Sequence, residues 1–197
     1  MRMKRLLLGA CISALMAVVP AASAAVMVNR CSVGRPTAAS YTWNFRKEAN
    51  NIFEDIQADA SQAAYHADQL QSFQRSPDMS WQSDADQLSQ LKTEINDMEA
   101  RMCRLETIRR VVAPWQQRSI NRIAATVQVM ADNAQDAIVF LNNNHNRLWS
   151  PTFRDYANNL YSDASSLNQT TDNAVEYAKV GTQYRNLRTD INMKASS

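Results

Sequence analysis

Cys31 and Cys103 are the two cysteines left once an export leader is set aside, and they lie 72 positions apart. In an oxidising compartment two such thiols have one simple chemistry open to them, a structural disulfide. An intermolecular bridge and free thiols are the alternatives. A redox enzyme would call for a Cys-x-x-Cys pair, which the chain lacks.

The second group with chemistry in it is basic. Arg101, Arg104, Arg109, Arg110, Arg118 and Arg122 cluster with only Glu106 set against them nearby. Guanidinium groups bind phosphate, sulfate and carboxylate through paired hydrogen bonds, so the cluster is a candidate anion-binding site. The plainer alternative is that Arg109 and Arg110 complement the negative end of a helix while the others solvate a face.

Metal and catalytic chemistry find little support. Ala63 and Asn142 stand three residues before His66 and His145, where a di-iron bundle places glutamates. A haem held by one histidine and one of Met79, Met98, Met102 and Met130 is the alternative, although methionines at these spacings read as core filler and no cofactor is expected. There is no glycine-rich phosphate loop, no Gly-x-Ser-x-Gly and no His-Glu-x-x-His. Glu54, Asp55 and Asp59 share a helical stretch and read as a solvated face. No catalytic residue and no metal ligand is assigned.

The elements that must position these groups are legible from punctuation and period. Pro36, Pro77, Pro114 and Pro151 are spaced by 41, 37 and 37 residues, and proline is tolerated at the first helical position, so the series predicts four helix starts. Between them apolar residues recur every three or four positions. The first stripe is Phe45, Ala49, Ile52, Ile56, Ala60, Ala63, Ala67, Leu70 and Phe73; the second runs from Trp81 and Ala85 through Leu88, Leu91, Ile95, Met98, Met102 and Leu105 to Ile108 and Val112. Ile120, Ile123, Val127, Met130, Ala134, Ile138, Leu141 and Leu148 form the third, and Phe153, Ala157, Leu160, Ala164, Leu167, Thr171, Ala174 and Ala178 the fourth. A repeat near 3.5 is the packing seam of supercoiled helices. The expectation is an all-α, left-handed, antiparallel up-down-up-down four-helix bundle.

Details follow from the same reading. Pro114 lacks turn formers around it and is read as a tight turn, because a helix running straight through would leave its stripe uncovered. Gly181 marks an expected kink or fraying, where the fourth stripe slips phase and resumes as Tyr177, Val180, Tyr184, Leu187 and Ile191. The four tryptophans fall near the bundle ends and are expected to plug the core there. The arginine cluster, with Arg30, Arg35, Arg46, Lys47, Arg185, Arg188 and Lys194, falls at one pole; Asp68, Asp78, Asp84, Asp86, Asp132, Asp136 and Asp155 gather at the other.

Residues 1–24 read as a cleaved secretory signal: Arg2, Lys4 and Arg5, then an apolar run from Leu6 to Val19, then Ala22-Ser23-Ala24. A lipoprotein box at Leu8-Gly9-Ala10-Cys11 is the weaker alternative. Residues 25–39 would form an N-terminal arm and 40–197 a single helical domain, with no transmembrane segment in the mature chain. Three of the 21 basic residues leave with the leader, so 18 face 19 acidic ones, a net charge of −1. That balance, with no binding motif, speaks against nucleic acid as partner. The expected role is non-enzymatic binding or structure in the bacterial cell envelope, periplasmic or secreted, with an anionic envelope component or a protein as partner. A haem- or metal-carrying bundle and a chaperone-like or oligomeric scaffold are the alternatives.

Overall fold

The computed structural model describes Cys31 and residues 44–76 and 80–195. The leader, most of the arm, Trp43 and Pro77 lie outside the described residues. Four helices make up the rest: α1 (Phe45–Phe73), α2 (Trp81–Ile108), α3 (Pro114–Asn143) and α4 (Pro151–Ala195), with a 3-10 turn at Arg109–Val111. There is no strand among the described residues. Helix α1 borders α2 and α4, and α3 borders the same two, a packing compatible with a four-helix bundle.

The helix starts differ in how they are made. Asn44 caps α1 by accepting from the Lys47 amide at 3.1 Å, and the Ser150 hydroxyl accepts from the Phe153 amide at 3.3 Å at the head of α4. Pro114 and Pro151 are first helical residues, as the punctuation predicts. Pro36 and Pro77 lie outside the described residues; α1 starts at Phe45, and α2 at Trp81, behind an extended Ser80. Val112 and Ala113 are extended, so the chain turns at Pro114 and does not run through it. The sequence shows no capping hydroxyl there because Gln116 does the work from inside. Its Oε1 accepts from the Ala113 amide at 2.9 Å, while its Nε2 donates to the Arg46 carbonyl at 2.9 Å and to Asn50 Oδ1 at 2.8 Å. One buried side chain thus caps α3 and fastens it to the start of α1.

Phe153, Ala157, Leu160, Ala164, Leu167, Thr171 and Ala174 are all buried, as the fourth stripe predicts. The buried Thr171 hydroxyl donates back to the carbonyls of Leu167 and Asn168 at 3.0 and 2.9 Å. The first stripe needs one correction. Phe53 is fully buried and Ile52 only partly, so the seam steps from Ala49 to Phe53 to Ile56. Likewise Ala137 is buried where Ile138 was expected, and Asp84 where Ala85 was. Ala49, Ala60, Ala63 and Ala67 on α1 and Ala157, Ala164 and Ala174 on α4 are buried, so these two helices can approach closely. Three polar pairs run along their junction: Gln57 with Asp172 at 2.7 Å, Ser61 with Asn168 at 3.0 Å and Gln71 with Asn158 at 3.0 Å. Numbers rise along α1 as they fall along α4.

Two expectations fail. Helix α4 passes through Gly181 without a break, and no residue among those described has a positive φ. A glycine costs a helix about 1 kcal/mol against alanine, too little to interrupt one with regular helix on both sides. Nor do the tryptophans all plug the core. Trp115 is packed between Phe53 (6.2 Å between ring centroids) and Tyr177 (4.8 Å), but Trp149 is 62% exposed. Trp81, also on the surface, stacks on His145 at 4.4 Å.

Candidate functional site

The six arginines of the predicted cluster divide into two kinds. Arg101 bonds the Asp59 carboxylate, and Arg104 Nε donates to Glu48 Oε1 at 2.6 Å. Both therefore tie α2 to α1. A guanidinium so engaged has fewer donors left for a ligand. Around Asp59, burial pushes the carboxyl up to about 6; Arg101 pulls it back, while Glu94, Asp97 and Asp55 add to the rise.

The remaining four surround the α2–α3 turn. Arg109 and Arg110 occupy the 3-10 turn, where unpaired carbonyls at the end of α2 carry partial negative charge. Arg109 Nε stands 3.7 Å from Glu106 and is buried with no hydrogen-bond acceptor. Arg110, Arg118 and Arg122 are exposed, and none forms an ion pair among the described residues. Arg118 and Arg122 sit four apart on α3, whose first turn has no acidic residue. That arrangement runs against what a helix favours at its positive end, where an anion is stabilising. The bond from Gln116 to the Arg46 carbonyl brings the start of α1 to the same end.

Comparison with known protein families, curated proteins and solved structures finds no match.

The other predicted groups are placed as follows. Cys31 and Cys103 have their sulfurs at bonding distance and their Cα atoms 5.3 Å apart, which is disulfide geometry. His66 Nδ1 lies 2.9 Å from Gln87 Oε1, on the α1–α2 face. Met98, Met102 and Met130 are buried in the apolar core, and Met79 lies outside the described residues. No group of three histidine, cysteine, aspartate or glutamate side chains among the described residues could hold a metal ion.

Sequence reasoning placed Asp84 among the acids of the far pole but missed its burial. It is buried at the far end of the molecule, beside a cavity of about 260 Å³ lined also by Gln74, Arg75, Leu148, Trp149 and Arg154. Among the described residues Gln74 is its hydrogen-bond partner, Nε2 donating to Oδ1 at 3.3 Å. Burial pushes its carboxyl up from 3.8 to about 6, with the Gln74 bond pulling the other way. The folded protein thus holds this proton more tightly than the unfolded chain does. The stability gained is complete below pH 3.8 and is lost as pH climbs through 6. Replacing Asp84 with Asn keeps an acceptor for Gln74 and removes the buried charge. Urea unfolding should show wild type losing on the order of 2 kcal/mol between pH 4 and pH 7 at this site, and Asp84→Asn recovering it at pH 7. An Asn variant weaker than wild type at pH 7 would show that the carboxylate is stabilised there by something else.

Proposed function

We propose that this chain is an exported, non-enzymatic helical-bundle protein of the bacterial cell envelope that binds an anionic component at its α2–α3 end. In this reading residues 1–24 are a signal peptide, 25–39 an arm and 40–197 one helical domain, a left-handed up-down-up-down bundle. The opposed numbering of the α1–α4 pairs supports the antiparallel order. The observation that carries the function is the set Arg110, Arg118 and Arg122, exposed without ion pairs beside a helix start that has no acid of its own. No helix among the described residues is long and apolar enough to cross a membrane, so contact with lipid would be made by such surface groups. A second reading, an oligomeric scaffold in the same compartment, draws on the exposed end of α4.

Co-sedimentation with vesicles of anionic and of zwitterionic phospholipid tests the first reading. Each basic residue near an anionic surface contributes about 1 kcal/mol, so replacing Arg109, Arg110, Arg118 and Arg122 by Gln should weaken retention on anionic vesicles by on the order of 1,000-fold. Retention that survives the replacement would remove this end as the contact.

A further inference from the structure

Helix α4 is longer than its neighbours by half: 45 residues against 29, 28 and 30. Trp115 meets Tyr177, and Asn133 donates to Asp163 at 2.7 Å, so α3 reaches its start at Pro114 close to residue 180 of α4. Extending the Gln57–Asp172 and Ser61–Asn168 pairs places the start of α1 near residue 184. The last ten or so residues of α4 therefore project beyond both, by roughly 15 Å.

The apolar stripe changes face at this point. Continuing the buried series of Phe153 to Ala174 in phase leads to Ala178, Gly181, Arg185, Arg188 and Asn192, which cannot form a core. The apolar residues are instead Tyr177, Val180, Tyr184, Leu187 and Ile191, about 100° round the helix from that line. Their steps are three, four, three and four, a heptad seam. Each exposes more than half of its surface, and nothing among the described residues covers them beyond the Trp115 contact of Tyr177.

We infer that this seam pairs with the same seam of a second copy, antiparallel, with Tyr184 of one helix beside Leu187 of the other. Three features of the molecule favour a copy of itself. The first is fit. In this register Val180 meets Ile191 of the second copy, whose projecting end then lies where α3 would continue past Pro114, so each overhang fills the gap left by the other molecule's shorter helices. The second is area. Five large side chains, each more than half exposed on both copies, would bury on the order of 1,200 Å² in total, the lower edge of stable interfaces. The third is charge. Gln183 faces Asp190 along one flank and Arg188 faces Gly181 along the other, so no like charges meet. A parallel pair would instead set both bundles side by side at the same end. The inference is independent of the anion-binding reading.

Analytical ultracentrifugation of the exported protein at tens of micromolar should return twice the mass of one chain. Leu187→Asp with Ile191→Asp should weaken association by at least 100-fold and leave the helical circular dichroism of the bundle in place. Val139→Asp, on an equally exposed valine of α3, should leave it unchanged. Gln183→Arg distinguishes direction: facing Asp190 it tightens an antiparallel dimer several-fold, whereas facing Arg188 it would loosen a parallel one. A one-chain mass overturns the inference, as does a dimer indifferent to the double replacement. Retention of such a monomer on zwitterionic vesicles would assign the stripe to lipid instead.

Discussion

Cys103→Ser is expected to lower the unfolding free energy by about 4 kcal/mol, one of the two largest effects we foresee. The bridge to Cys31 closes a loop of 72 residues. In the unfolded chain that closure removes conformations, and the entropy lost grows with the logarithm of loop length. In a protein of this size the melting temperature should fall by roughly 10 °C. Cys31→Ser should have the same effect, and the double replacement no more than either alone, because all three open one loop. Wild type treated with a thiol reductant should then melt with the variants. Melting that is indifferent to reductant would show that the two thiols are unpaired in the folded protein.

Phe53→Ala should cost about 3–5 kcal/mol, whereas Ile52→Ala, one position away, should cost about 1 kcal/mol. The contrast comes from where each side chain ends. Phe53 is fully buried, its ring 6.2 Å from that of Trp115, which in turn lies 4.8 Å from Tyr177. These three rings link α1, α3 and α4 at the end that carries the arginines. Removing the phenyl leaves a cavity and withdraws the surface on which Trp115 rests. Ile52 is only partly buried, so its loss can be filled by solvent. Urea unfolding of the two variants checks the assignment; a larger loss at position 52 would mean that the core runs along the other side of α1.

The comparison of these neighbours shows where reading along the chain reaches its limit. A stripe spaced between 3.5 and 3.6 residues per turn drifts round the helix, and two adjacent apolar residues then compete for one place in the core. Ile52 and Phe53 are such a pair, and so are Ala137 and Ile138. Which of the two turns inward depends on the angle of the facing helix, and that is a tertiary quantity. Asp84 is a harder case: it stands four residues before Leu88, in phase with the buried stripe as Asp86 is not, but a carboxylate at that position reads as surface. Arg101 and Arg104 look like Arg118 and Arg122 in one dimension. Only the position of Asp59 and Glu48 across the α1–α2 junction assigns the first two to the architecture.

By itself the sequence determined the number of helices and most of the fourth stripe, and it favoured a turn at Pro114 and a bridge between Cys31 and Cys103 while leaving a kink, an intermolecular bridge and free thiols open. The helix count and the stripe follow from local rules of period and backbone chemistry that hold whatever the helices pack against. What the tertiary structure alone decided is which stripes are covered. The seam from Tyr177 to Ile191 has the same spacing as the one from Phe153 to Ala174, but it lies about 100° round α4 from the core face, and α3 and α1 end near residues 180 and 184, before they can reach its last part. Periodicity records that a face wants a neighbour, and only the lengths and directions of the other helices determine whether one is there.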